Sequence, residues 1–196
     1  RYDPIFIDKK HSVEWHISEF EKMAENLAGY TKTCVISFID IYKKVERNFP
    51  EAKSVRAEDR AMIGKAFVKI ASKYGMVLRP CAEGEELAQY GADCSGCMTV
   101  HTFETALHSR LEVPKRKKNQ RNGECACLLG TDIGAYDTCG HLCKYCYANV
   151  NPVLVKENMR KHNPASPFLI GGHMPGDIVR EAKQESWIDR QIRLEF

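Results

Sequence analysis

No apolar run in the chain approaches the roughly 20 residues that span a bilayer, so a membrane-spanning reading is excluded at the outset. The start, Arg1-Tyr2-Asp3-Pro4, has neither the basic n-region nor the apolar h-region of a secretory signal. Charge of one sign is also lacking: 29 Lys and Arg stand against 26 Asp and Glu, a formal net charge of +3, too little for a general field toward nucleic acid. Internal repeats and low-complexity tracts are absent. What remains, 196 residues of which 43% are hydrophobic and 28% charged, fits one globular domain with a sizeable core rather than a disordered chain.

Cysteine is the residue in excess. There are nine, an odd number that cannot be fully paired, and seven of them fall between Cys94 and Cys146. This reads as a set of thiolates in a reducing compartment, the cytoplasm by default. The chain has no initiator Met and opens on an apparent strand, residues 2–7, which predicts a fragment.

The apolar pattern predicts an α/β fold. Val13, Ile17, Phe20, Ala24 and Leu27 recur at helical spacing behind Ser12 as N-cap, and Gly29 stops the helix over about residues 13–28. The run Cys34-Val35-Ile36-Ser37-Phe38-Ile39 reads as a buried parallel strand and is followed by a loop rich in Lys, Pro and Glu. Met62, Ile63, Ala66, Phe67, Ile70 and Tyr74 form a second helical stripe closed by Gly75, and Met76-Val77-Leu78 a third strand ended by Arg79-Pro80. Strand, helix, strand, helix, strand predicts a parallel sheet with crossover helices, either open or part of a barrel, with chemistry at the carboxyl ends of its strands. Asp40 and Arg79-Pro80-Cys81-Ala82-Glu83 occupy such ends, where polar residues also stand simply because strands end at the surface.

Farther on, a helix is expected over about residues 100–111, a strand at Cys125-Ala126-Cys127-Leu128-Leu129, a helix over about 152–161 and a last strand at Phe168-Leu169-Ile170. The chain therefore divides, within one domain, into strand-helix repeats over 1–80, a cysteine-bearing insertion with a basic linker over 81–123, and a strand-loop-helix segment with a terminal strand over 124–196. The linker run Lys115-Arg116-Lys117-Lys118-Asn119-Gln120-Arg121 could contact phosphates, but it has no interleaved aromatics for stacking, so a solvated linker is the better reading.

The motif that carries chemistry is Cys139-Gly140-His141-Leu142-Cys143-Lys144-Tyr145-Cys146. Its C-x3-C-x2-C spacing lets one loop wrap a single metal cluster, and thiolates are the ligands that iron–sulfur clusters require. Three cysteines on a 4Fe-4S cluster leave one iron open, as catalytic zinc sites keep a position for water or substrate. A structural zinc loop would want four ligands, and His141 is read as a solvent-facing residue rather than the fourth.

This loop resembles that of the radical S-adenosylmethionine enzymes, with Tyr145 as the aromatic before the last cysteine. The stretch Gly134-Ala135-Tyr136-Asp137-Thr138, then Tyr147-Ala148-Asn149, Asn163-Pro164-Ala165-Ser166-Pro167 and Arg1-Tyr2-Asp3-Pro4-Ile5 resemble, more narrowly, the bacterial domain-of-unknown-function family 1848. The resemblance implies a partial TIM-like barrel in permuted order, with the cluster loop near the carboxyl end and a segment missing upstream. It implies that Cys139, Cys143 and Cys146 hold a 4Fe-4S cluster, that S-adenosylmethionine chelates the open iron, and that Tyr145 lies beside the adenine. It implies also that an electron donor such as flavodoxin or ferredoxin feeds the cluster, whose reduction of S-adenosylmethionine yields a 5'-deoxyadenosyl radical that takes hydrogen from an unknown substrate. Gly171-Gly172, in Ile170-Gly171-Gly172-His173, stand where such enzymes bind the methionine amine, although the customary following Glu is a His here.

A second set comprises Cys81, Cys94, Cys97, Cys125 and Cys127. The resemblance favours Cys81, Cys97, Cys125 and Cys127, with Cys94 as a spare, for an auxiliary cluster ahead of zinc; free buried cysteines are the plain alternative. Cys34, inside an apolar strand, is given no function. The competing function from another class is a metal-stabilised nucleic-acid-binding module, zinc- or iron–sulfur-based, without catalysis.

Overall fold

A computed structural model describes residues 1–114, 127–128, 134–181 and 185–190. The chain packs as two compact units, one of residues 1–40, 52–129 and 186–196, the other of residues 41–51 and 130–185.

The first unit is built on a three-stranded parallel sheet in the order β1–β2–β3, with β1 at Tyr2–Ile5, β2 at Thr33–Phe38 and β3 at Val77–Pro80. Register is set by Thr33 opposite Val77 and Ile36 opposite Pro80 on one side, and by Ile5 opposite Phe38 on the other. Helix α1, Val13–Leu27, crosses from β1 to β2, and α3, Ala57–Lys73, crosses from β2 to β3. The two helices pack against each other. Ser12 caps α1 as expected, its side chain accepting from the Trp15 amide at 3.2 Å.

Alternation along β2 sends Cys34, Ile36 and Phe38 inward, where Ile5, Ile36, Phe67 and Ile63 are fully buried. Phe20 of α1 stacks on Phe67 of α3 at 3.8 Å between centroids, and Tyr2 meets both rings edge-on. Such pairs add about 0.5–1.5 kcal/mol beyond their burial. His16 bolts β1 to α1: its Nε2 donates to the Phe6 carbonyl at 2.7 Å, so its Nδ1 accepts from the Tyr2 hydroxyl at 2.7 Å. Burial holds the His16 pKa below its ordinary value.

Three expectations are corrected here. The loop after β2 contains a short helix, α2, Lys43–Asn48, which is polar along its length and buries only Val45. The next helix, α4, is Val100–Leu107, ended by His108 in the left-handed region at φ 50° before it could reach residue 111. The segment Phe168-Leu169-Ile170 is not a strand: Phe168 and Leu169 are exposed, and it folds back on the end of helix α5, Pro152–Lys161. There His162 Nδ1 hydrogen-bonds the Leu169 carbonyl at 3.0 Å, and the Gly171 amide donates to the Lys161 carbonyl at 3.1 Å. Those contacts occupy backbone groups that a sheet partner would need. Of the strand expected at 125–129, only Cys127 and Leu128 are described, and neither is in a strand. The three strands do not close into a barrel.

Candidate metal-binding cysteine sites

In the second unit, Cys139, Cys143 and Cys146 share one loop and none is in a disulfide. Cys139 and Cys143 are exposed and Cys146 is half-buried. The loop turns sharply: Leu142 has φ 50°, and the Cys146 amide donates to the Cys143 carbonyl at 3.0 Å.

What fixes this loop is a frame of buried polar side chains. Asp137 is buried at 8% exposure, and its Oδ1 accepts from the backbone amides of Val150 and Asn151, the latter at 2.9 Å. The Asp137 amide in turn donates to the Ala148 carbonyl at 3.0 Å. Those hydrogen bonds to the Asn151 and Val150 amides hold the Asp137 pKa below its ordinary value. Asn158 of α5 donates to the Asp137 carbonyl at 3.0 Å, and Asn149 donates through Nδ2 to the Cys139 carbonyl at 2.6 Å. Among the described residues the Oδ1 of Asn149 is buried without a hydrogen-bond partner, an acceptor left open in the residue that holds the first cysteine of the motif. Asn151 caps α5, accepting from the Val153 amide at 2.9 Å, with Pro152 at the first helical position.

Among the described residues, Val45 and Val155 are the apolar side chains this unit buries, against three buried polar ones, Asp137, Asn149 and Asn158. A unit with so small an apolar core is of the kind that disulfides or metals commonly complete. Tyr145 is 36% exposed, His141 is exposed as expected, and Tyr147 meets Tyr136 edge-on at 6.4 Å. Gly171, at φ 63°, and Gly172 have open space where a side chain would stand, so a ligand could approach their backbone.

The frame of Asp137, Asn149, Asn151 and Asn158 was not singled out from sequence. Asn151-Pro152 carried a usable signal, the cap and first-position pair of a helix start. Asp137 and Asn149 lie in stretches that carry the family resemblance, but nothing in their spacing marked them as a frame.

The second cysteine set lies in the first unit. Cys97 Sγ is 3.6 Å from Cys81 Sγ and 3.3 Å from Cys127 Sγ, and Arg1 Nη1 approaches the Cys97 sulfur at 3.9 Å. Cys97 and Cys127 are buried, Cys81 partly so. Burial, with hydrogen bonds to Cys127 and Cys81, pushes the Cys97 thiol well above its ordinary pKa. Cys94 packs against the apolar core instead. Cys125 lies outside the described residues, as does the basic run 115–121. Cys34 is buried within β2. At the strand ends, Glu83 accepts from the Phe38 amide at 2.8 Å and pairs with Arg60 at 2.8 Å, a structural role, while Asp40 is exposed. Among the described residues no three His, Cys, Asp or Glu side chains stand ready-arranged around a metal position; the second set is three sulfurs in contact.

The profile of a family described as a domain of unknown function (DUF1848) matches residues 1–148. The chain belongs to this family. The DUF1848 match covers about three quarters of the chain and includes the sheet, both cysteine sets and the whole C-x3-C-x2-C motif. No curated protein and no solved structure matches the chain. No helix among the described residues is long and apolar enough to cross a membrane.

Proposed function

We propose that this DUF1848 protein is a radical S-adenosylmethionine enzyme whose 4Fe-4S cluster is held by Cys139, Cys143 and Cys146. The observation that carries the reading is the loop itself: three free thiols on a sharply turned segment, reachable from solvent, and fixed from behind by Asp137 and Asn149. Three thiolates from one loop, without a fourth in it, suit a cluster with one open iron better than a structural zinc. The open acceptor on Asn149 fits the same picture, because a buried acceptor next to the motif asks for a donor from a ligand.

The chain's own residues then have separable tasks. Cys139, Cys143 and Cys146 bind as thiolates. Asp137 and Asn149 hold the backbone at the two ends of the cysteine loop, the kind of support that outer-shell groups give metal ligands. Tyr145, partly exposed, offers a ring face to the adenine of S-adenosylmethionine, and the open backbone of Gly171 and Gly172 is available to its methionine amine. When bound and reduced, the cluster would supply one electron that breaks the sulfonium S–C5' bond, giving methionine and a 5'-deoxyadenosyl radical that takes a hydrogen atom from substrate. The electron comes from a flavodoxin- or ferredoxin-class donor.

The sheet is compatible with the permuted, TIM-like barrel that accompanies this chemistry. Its strands advance one neighbour at a time and its two crossover helices pack together, as in a barrel segment and equally as in one half of a doubly wound sheet. The nucleic-acid-binding alternative rests on the basic run, which lies outside the described residues, and on the paired cysteines.

The test is anaerobic reconstitution of the chain with iron and sulfide, reduction, and assay of 5'-deoxyadenosine from added S-adenosylmethionine. Formation of 5'-deoxyadenosine that Cys143→Ala abolishes supports the reading. A reconstituted, reduced protein that leaves S-adenosylmethionine intact overturns it.

A further inference from the structure

The three sulfurs of the first unit come from separate segments and touch. Cys81 follows β3 and continues its ladder, its amide donating to the Ile36 carbonyl at 2.8 Å. Cys97 and Cys127 are brought side by side by their successors, the Leu128 amide donating to the Met98 carbonyl at 2.7 Å. The loop that carries Cys97 is in turn tied back to β3, by the Asp93 amide on the Leu78 carbonyl at 2.9 Å and by the Arg79–Asp93 ion pair at 2.9 Å. The backbones that carry the sulfurs are therefore adjacent before any bond forms between them.

Cys97 stands in the middle, its Sγ 3.3 Å from that of Cys127 and 3.6 Å from that of Cys81. A sulfur–sulfur bond is about 2.0 Å long, so Cys97 and Cys127 can bond by side-chain rotation, with little demand on the backbone. Cys97 takes only one neighbour at a time. Whichever it takes, the third thiol is left against the new bond, in place to attack it by exchange. Exposure sorts the three further, because Cys81 is only partly buried whereas Cys97 and Cys127 are buried. A dissolved reagent reaches Cys81 first.

We propose that Cys97 and Cys127 form a reversible disulfide, loaded through Cys81 by a low-molecular-weight disulfide such as glutathione disulfide. Each step is a thiol–disulfide exchange. The Cys81 thiolate attacks the reagent, forming a mixed disulfide and releasing one small thiolate; the Cys97 thiolate then attacks the Cys81 sulfur and releases the second. The Cys127 thiolate attacks the Cys97 sulfur and returns Cys81 as a thiolate. In sum, two protein thiols give up two electrons and two protons, one protein disulfide forms, and the reagent leaves as two small thiols. The bond locks the loop before α4 to the segment around Cys127, and reduction releases it. Where thiols are kept reduced, disulfides of this kind are transient and sensing in character. The device asks for no metal and no fourth ligand, and it stands or falls separately from the radical chemistry, which uses other cysteines.

The test uses the full chain carrying Cys139→Ala, Cys143→Ala and Cys146→Ala together, which removes the loop thiols. The protein is reduced, exposed to glutathione disulfide, quenched in acid, alkylated and mapped by peptide mass. The expected end product has lost two free thiols, carries no glutathione and yields a peptide linked through Cys97 and Cys127; excess reduced glutathione reverses it. Cys97→Ser should strand glutathione on Cys81, and Cys81→Ser should slow the linkage on the order of tenfold or more, since burial denies the reagent the other two sulfurs. Cys94→Ser should leave the linkage unchanged. Should the serine variants misfold, the time course of the triple variant supplies the readout: the Cys81 adduct must rise and fall before the linked peptide dominates. A chain that stays fully reduced, that ends as a stable glutathione adduct, or that ends with Cys97 linked to any cysteine but Cys127 would overturn the inference. So would zinc or iron held by the triple variant and lost in Cys97→Ser.

Discussion

The two cysteine sets put the same side chain in opposite settings. Cys139 and Cys143 are exposed on a loop whose support is almost wholly polar, whereas Cys97 and Cys127 are buried, with their sulfurs in contact. Open thiols on a braced loop suit the proposed cluster, which must meet a second ligand; the closed knot of sulfurs is shielded from solvent. Cysteine count alone does not separate the two settings; exposure and sulfur contact do.

The contrast can be broken most severely at the loop. Cys143→Ala should abolish 5'-deoxyadenosine formation while shifting thermal unfolding of the metal-free protein by no more than about 1–2 °C, because an exposed loop side chain contributes little to packing. A large loss of stability would mean that Cys143 is structural after all. The reverse pattern is expected in the first unit, where Phe67→Ala removes a fully buried ring stacked on Phe20 and should cost about 3–5 kcal/mol in denaturant unfolding.

Intermediate in size is Asp137→Ala, which frees the Val150 and Asn151 amides and should weaken iron retention about 10- to 100-fold, as loss of outer-shell support does at other metal sites. An unchanged iron content after dialysis against chelator would remove Asp137 from the account. Because the folded-state pKa of Asp137 is depressed, its support is fully present above the unfolded value near 4 and is lost as pH falls through the lower folded value. Loop protection followed by hydrogen exchange should therefore decline on acidification below about pH 4 and hold steady above it.

The smallest effect is kinetic. In reduced, metal-free protein a disulfide reagent at mild alkaline pH should modify Cys139 and Cys143 first and Cys97 last, since the thiolate is the attacking form and burial with neighbouring thiols disfavours it at Cys97. Equal rates, measured by peptide mass mapping, would erase the distinction.

Much of the fold was legible because its elements carry local punctuation. Ser12 and Asn151 mark helix starts by side chains that accept the first free amides, and both helices begin where these residues say. Cys34 to Phe38 could be read as a buried strand because neighbours on both sides hide it. Helix α2 escaped notice since Val45 is the only residue it buries, too little for a periodic signal. Phe168-Leu169-Ile170 misled for the converse reason, three apolar residues in a row with no partner strand. The loop cysteines were legible through their spacing, all on one short segment. The meeting of Cys81, Cys97 and Cys127 was not legible in spacing, because contacts across 16 and 30 residues depend on how the loops close; it was the family resemblance that grouped them and set Cys94 apart.

The central claim is that the loop cysteines leave one iron for S-adenosylmethionine. Electron paramagnetic resonance of the reconstituted, reduced protein, before and after S-adenosylmethionine is added, tests this most directly. The account predicts a 4Fe-4S signal whose g values shift on addition and which is missing in Cys143→Ala. A cluster signal indifferent to S-adenosylmethionine, or one that persists in Cys143→Ala, would contradict it.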